Sequence, residues 1–444
     1  MPEAIKVGAA TIPFWKRIFR GFKFRKSMFN IGKSILRQQG GKARLSATFT
    51  SVKGTQEVFF ETEERYGEYF VTDVSDPFIV AALLPALVEG EDIQVESVSD
   101  RLYYNFRTLS FLLGKVFGFP PIRLHALNIV SVKYGASGVG TGFSGGVDSF
   151  CTYVRHTSDD CPESMRITHL ALFNVGAYGN DYEKTRLDFE TDRERAGKFA
   201  EEVGKPLIPV DSNMSSIYTH KDIYHYSLRT TLCISSAVLS LQKLFSLYYI
   251  SSSGTIDVCK YSAHDQYEYE GLLVQLLSTA NTSLLIAEHH LNRVEKTMLL
   301  LDDPYVRNHL YVCAAPIMNE KHGCHFKNDT SPNCCECPKC RRTLAAIDFA
   351  GKLDAFKNRF DLEKWAVIRD ECIADIYLLK DFDHFKKENW DLFCSKGNQL
   401  TKRQIQKVKE IHSNWHPSLY RRIRRGLKKF LVAHGLYSNS IPPQ

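Results

Sequence analysis

Six consecutive residues, Ser144-Gly145-Gly146-Val147-Asp148-Ser149, constrain this chain more than any others. They lie between a short apolar run, VGTGF at 139–143, and a stretch at 148–158 that reads as a helix. Adjacent glycines permit positive φ and let another group approach the backbone closely. The start of a helix presents outward-facing amides and a dipole that favours an anion. Ser144 and Ser149 add hydroxyls, and Asp148 can hold Mg²⁺ or orient the loop. The expectation is a phosphate-binding turn at the carboxyl end of a strand.

The flanking sequence supplies the sheet such a turn needs. Apolar runs at 139–143, 167–176, 206–211 and 247–252 alternate with helical stretches at 148–158, 181–204 and 228–245. That rhythm predicts right-handed βαβ units and a parallel sheet, with ligands at the carboxyl ends of the strands. Upstream, 43–73 alternates as strands joined by polar turns, 75–90 reads as a buried helix, and a strand and an amphipathic helix end near Gly118. The predicted fold class is α/β: a Rossmann-like parallel sheet with an N-terminal α/β accessory domain and a helical C-terminal extension. The expected boundaries are a basic leader at 1–44, the accessory domain at 45–132, the nucleotide domain at 133–350 and the helical region at 351–444.

Two familiar phosphate loops do not match: the sequence has no Gly-x-x-x-x-Gly-Lys-Ser/Thr, and no Gly-x-Gly-x-x-Gly with an acid following the second strand. The hexapeptide instead resembles the Ser-Gly-Gly-x-Asp-Ser loop of the PP-loop ATP pyrophosphatase superfamily. The resemblance implies that Ser144, Gly145, Gly146, Val147, Asp148 and Ser149 hold the pyrophosphate of ATP and leave the α-phosphate open to attack by a carboxylate or carbonyl oxygen. Adenine would then lie near Phe173 and Asn174, read mainly by backbone groups, and Ser252, Ser253, Gly254 and Thr255 would border the α-phosphate or the acyl substrate.

A second cluster narrows the resemblance. Cys324, Cys334, Cys337 and Cys340 lie within GCHFKNDTSPNCCECPKC, where Cys-x-x-Cys-x-x-Cys with a fourth thiolate suits a closed tetrahedral Zn²⁺ site in the segment 322–342. His322, His325 and Cys335 are alternatives for the fourth ligand, and an iron–sulfur cluster is the competing reading. The other cysteines, Cys313 among them, read as reduced core thiols. The order of loop, cluster and following arginines (Arg341, Arg342) resembles 7-cyano-7-deazaguanine synthase-like proteins over about 139–345. By that resemblance, Arg293 and Lys296 in LNRVEKTMLLL would join Asp148 as catalytic residues by neutralising charge on the phosphates. It implies an ATP-, Mg²⁺- and Zn²⁺-dependent ligase that adenylates a small-molecule or protein carboxylate for attack by ammonia or an amine. Relatives acting on a partner protein in bacterial defence suit the extra domains.

Charge bears on partners. The net charge is +7, and Thr11 to Arg44 carries ten Lys or Arg and no acid, with LYRRIRRGLKKFL mirroring it at 419–431. These ends could grip nucleic acid or an acidic protein, or they could be solvated tails. A tRNA-modifying PP-loop enzyme is therefore the alternative function, though Cys233 and Cys259 are unconvincing catalytic thiols; a non-catalytic ATP-binding scaffold is a third. His264, His289 and His290 could shuttle protons or simply fill structure. No apolar run reaches the roughly 20 residues of a membrane helix, and no signal-peptide pattern opens the sequence, so the expectation is a cytoplasmic homo-oligomer or complex subunit.

Overall fold

The computed structural model describes residues 27–179, 181–218, 229–259, 266–314 and 331–413. Most of the basic leader, the basic tail, His264, and the stretch holding His322, Cys324 and His325 lie outside the described residues. Strands begin inside the expected leader: β1 (Met28–Ile31) and β2 (Ile35–Gln39) lie end to end along one edge of β3 (Lys42–Ser51). A tight turn returns β3 antiparallel into β4 (Gly54–Glu63). Helix α1 (Asp76–Glu89) follows, with Pro77 in its first turn and Gly90 closing it in the left-handed conformation at φ 71°. Strand β5 (Asp92–Ser99), helix α2 (Asp100–Phe117) and strand β6 (Leu124–Val130) complete this half.

The second half is the predicted alternation. It runs β7 (Gly138–Gly142), α3 (Val147–Arg155), β8 (His169–Asn174), α4 (Tyr182–Glu202), β9 (Leu207–Ser212), α5 (Thr230–Ser240), β10 (Phe245–Ser251), α6 (Glu270–Leu277) and β11 (Ser283–Ala287). The helices that follow are α7 (Arg293–Leu300), α8 (Pro304–His309), α9 (Pro338–Phe349), α10 (Leu362–Leu379), α11 (His384–Ser395) and α12 (Lys402–Ser413).

The eleven strands of the described residues form one sheet, in the order β11-β10-β7-β8-β9-β4-β3-β1-β5-β6 with β2 also on β3. The β11-β10-β7-β8-β9 portion is parallel throughout. The residues expected as an accessory domain continue this sheet, because β4 pairs antiparallel with β9 through Phe60↔Ser212 and Glu61↔Asp211. Side chains reinforce the seam: Ser212 donates to the Phe59 carbonyl at 2.6 Å and Thr62 to the Pro209 carbonyl at 2.6 Å. One apolar core packs α1, α2, α5 and α6 on one face, and a second packs α3, α4 and the helices after β11 on the other. After β9 the chain crosses to the far side of β7 to lay down β10, so the strand order reverses at β7. Such a reversal opens a crevice at the carboxyl ends of the strands.

Strand β7 earns its central place by being nearly bare. A Cβ on Gly140 would sit 2.5 Å from the Phe245 ring and 2.8 Å from the Tyr248 ring. Glycine there lets these fully buried aromatics of β10 close over β7.

Candidate active site and cysteine centre

The Ser144–Ser149 turn leaves β7 at the crevice. Gly145 takes φ +76°, a conformation that L side chains rarely adopt, and its carbonyl accepts the Tyr311 amide at 2.7 Å. Gly146 is the N-cap of α3, so the first amides of that helix face the turn. The serines brace the loop: Ser149 Oγ donates to the Gly146 carbonyl at 3.0 Å, and Ser144 Oγ accepts the Gly146 amide at 3.4 Å. A cleft of about 260 Å³ opens beside them, lined by Ser144, Asp148, Phe173, Tyr178, Tyr248 and Ser251 among others. Phe173 and Tyr248 stack at 5.8 Å on its wall.

Asp148 is where the separate predictions meet. Arg293 Nη2 lies 2.7 Å from Asp148 Oδ2, and Lys296 Nζ lies 3.7 Å from Oδ1. Helix α7 delivers both cations because its start is fixed by a capping box. Asn292 Oδ1 accepts the Glu295 amide at 2.9 Å, and Glu295 Oε2 accepts the Asn292 amide at 2.8 Å. Three residues apart, Arg293 and Lys296 share a face, and the Arg293 amide is held by Glu388 at 3.0 Å. Lys296 is buried and donates to the Ser252 carbonyl at 2.6 Å. Asp148 Oδ1 is itself buried without a hydrogen bond. One buried and one half-buried cation, a carboxylate and a helix start thus converge on one turn.

The remaining predicted residues take more specific positions. Asn174 is buried and its side chain is spent, donating to Asp211 Oδ1 at 2.8 Å while Tyr182 donates to Oδ2 at 2.6 Å. Ser252 is also buried: its carbonyl serves Lys296, and its hydroxyl lies 2.9 Å from the Glu270 carboxylate and 2.7 Å from the Gly254 carbonyl. Ser251, one residue earlier, is the one on the cleft. His289 carries a buried, unpartnered Nε2, and burial together with Lys296 holds its pKa below the ordinary histidine value. His290 lies 3.7 Å from Glu288.

One contributor carried no local signal. Arg195, within the charged run of α4, reaches the Ser144 carbonyl at 3.5 Å and lies 3.5 Å over the Tyr311 ring. Burial and neighbouring Arg293 press the Arg342 pKa down to about 10, with Asp148 pulling the other way, so its charge also belongs to this neighbourhood.

The cysteine centre needs a correction. The thiols that converge are Cys313, Cys334, Cys337 and Cys340, all four sulfurs within 4.8 Å of one another. Cys313, read from sequence as a scattered core thiol, takes the place expected for Cys324, which lies outside the described residues. Asn333 is the physical reason. Its Oδ1 accepts the amides of Val312 and Cys313 at 2.8 and 3.1 Å, and its Nδ2 donates to the Leu310 carbonyl at 3.1 Å. That clasp lays the run after α8 beside the Cys-x-x-Cys turn, and the Ala314 amide donates to Cys337 Sγ at 3.5 Å. Cys335 is no substitute: at φ 64° it turns away, and its thiol donates to the Asn333 carbonyl at 3.5 Å.

The four sulfurs suit a metal. Zn–S bonds of about 2.3 Å imply tetrahedral edges of roughly 3.8 Å, and Cys334 and Cys340 sulfurs already stand 3.9 Å apart. Hydrogen bonding among the thiols lowers the pKa of Cys334 and Cys337 and raises that of Cys340. Cys337 is the N-cap of α9, so the centre anchors the start of that helix.

Comparison with family models, with curated proteins and with solved structures finds no significant match to this chain. Among the described residues no helix is long and apolar enough to cross a membrane.

Proposed function

We propose that this chain is an AMP-forming ATP pyrophosphatase of the PP-loop type that adenylates a carboxylate, small-molecule or protein-borne, for attack by ammonia or an amine. The convergence of Arg293 and Lys296 on Asp148, at the glycine turn that opens α3, carries this reading. Fixed cations and helix amides at one turn offer preorganised stabilisation to a departing pyrophosphate. A carboxylate oxygen would attack the α-phosphorus, and the bond to the bridging oxygen of pyrophosphate would break. Asp148, with its unpartnered buried oxygen, would hold Mg²⁺, which would neutralise charge on the phosphates. The cleft walled by Phe173 and Tyr248 would take the adenine. The absence of a P-loop lysine supports attack at the α-phosphate rather than transfer of the γ-phosphate.

Zn²⁺ in the four-cysteine centre would act structurally, since four thiolates leave no open position for water. It would hold the start of α9, whose Arg342 feels both Arg293 and Asp148.

The test is product analysis with a panel of carboxylates, ammonia and ATP. AMP and pyrophosphate should appear in equal amounts, and Asp148→Ala should lower the rate at least ~10²-fold, the scale for losing one electrostatic contributor. ADP with phosphate, or an undiminished Asp148→Ala rate, would sink the reading.

A further inference from the structure

Strand β6 is the last strand on one edge of the sheet, and among the described residues nothing pairs with its outer side. It runs parallel to β5 in a single register, from Ile93↔Leu124 to Ser99↔Val130. The Arg123 carbonyl accepts the Ile93 amide at 2.8 Å, so the odd-numbered residues of β6 serve β5. Leu124, Ala126, Asn128 and Val130 therefore turn their amides and carbonyls to the open edge.

Sheet edges in native proteins are commonly blunted by charge, proline, a bulge or a covering element. The β6 sequence LHALNIV has no Asp, Glu, Lys, Arg or Pro, and its pairing has no bulge. Helix α2 packs on the face that carries Leu124 and Ala126. On the other face Leu127 is 76% exposed and Ile129 50%. The opposite edge of the sheet differs: in β11, Leu284 is buried and Leu285 and Ile286 are half-buried.

Charge decides the occupant. No Asp or Glu occurs from Arg101 to Val147, the stretch that forms α2 and β6 and leads through β7 into the glycine turn. Its Arg107, Lys115, Arg123 and Lys133 are exposed and make no ion pair among the described residues. The acids that border it are occupied. Glu96 faces Lys33 at 4.0 Å, Asp92 accepts the Arg123 amide at 2.9 Å, and Asp100 accepts the Arg101 amide at 2.6 Å. Ser110 Oγ accepts the Ile122 amide at 2.8 Å, just before β6, and Arg107 lies one turn earlier on the same side of α2. Arg107 and Arg123 thus flank the open edge. A second copy of β6 would set these cations against their own kind. Residues 1–26, which join the sheet where the Ser27 carbonyl takes the Asp92 amide at 3.3 Å, carry seven Lys or Arg against one Glu and are disfavoured there as well. Nucleic acid or an anionic bilayer would meet the charge but leave the outward row of backbone donors and acceptors unmatched. An added acidic strand meets both.

We propose that β6 accepts an extended, acidic segment of a partner protein as the next strand of the sheet. Its backbone pairs with Leu124, Ala126, Asn128 and Val130. Its alternate side chains divide between the two faces. Apolar ones lie against Leu127 and Ile129, and carboxylates turn to the α2 side, toward Arg107. This docking needs neither ATP nor adenylation.

The experiment is fluorescence anisotropy of the full chain, without ATP, with a fluorescein-labelled Glu-Val-Glu-Val-Glu-Val-Glu peptide as probe. One site per chain is expected. Asn128→Pro removes an outward amide and no bond to β5. It should weaken binding about tenfold, the scale of one lost hydrogen bond, while Asn128→Ala should bind as wild type does. Arg107→Glu combined with Arg123→Glu should also weaken binding about tenfold. Thermal melts establish that each variant is folded, and the exposed arginine pair carries the test if the proline variant is not. Absence of binding at millimolar probe, equal binding by folded Asn128→Pro and Asn128→Ala, or equal binding of a peptide with Lys in place of Glu would each overturn the proposal. So would displacement of the probe by an equal concentration of oligothymidylate or by phosphatidylglycerol vesicles, or a self-associated chain that Asn128→Pro converts to monomers in sedimentation. Because ATP is absent and no variant lies at the glycine turn, a failure here is separate from a failure of adenylation.

Discussion

Replacing Cys313 by serine should cost the chain most of its metal affinity, whereas replacing Cys324 should not. Cys313 is one of four sulfurs that all lie within 4.8 Å of one another, and it is held there by the Asn333 clasp on its backbone amide. Structural Zn²⁺ is worth about 10–16 kcal/mol in small domains at neutral pH. A quarter of that, roughly 3 kcal/mol, corresponds to about a hundredfold weaker binding. The serine keeps the volume and the backbone, so the Asn333 clasp should survive and the protein should stay folded. Purified wild type should contain about one zinc per chain by mass spectrometry. A chromogenic chelator should strip Cys313→Ser at concentrations at which wild type and Cys324→Ser hold their metal. The reasoning fails if Cys324→Ser loses zinc while Cys313→Ser keeps it, or if the metal is iron with visible absorbance.

Two further outcomes follow from packing and charge. Gly140→Ala puts a methyl 2.5 Å from the buried Phe245 ring, so denaturant unfolding should show a loss of about 1–3 kcal/mol from overpacking; a neutral substitution would mean β10 can retreat from β7. His289 has its folded pKa lowered by burial and by Lys296. Its neutral form is favoured in the fold, so its contribution to stability is complete above the unfolded value of about 6.5 and is lost as pH falls toward the folded value. His289→Gln should therefore flatten the decline in unfolding midpoint between pH 8 and pH 5, and an unchanged slope would show that other groups govern it.

Local patterns were legible where the physics is local. The apolar runs at 139–143, 167–176, 206–211 and 247–252 became β7, β8, β9 and β10 within a few residues, because strand and helix periodicities are written in neighbouring side chains. The turn at Ser144–Ser149 stands at a strand end before a helix, as its glycines require. Arg293 and Lys296 were nominated through a resemblance, and the capping box around Asn292 explains how they reach Asp148 together. The expected accessory segment was harder to place, since nothing in residues 45–132 announces that β4 will pair with β9.

By itself, then, the sequence determined the parallel α/β rhythm, the glycine turn between strand and helix and the three clustered cysteines, each encoded within a few residues. Tertiary structure alone decided the fourth thiol and the joining of the eleven strands of the described residues into a single sheet. Cys313 stands 21 residues before Cys334, and the Asn333 side chain, bonding to backbone across that gap, holds them together. Spacing rules register short loops, whereas contacts closed by a buried side chain between distant segments exist only once the chain has packed.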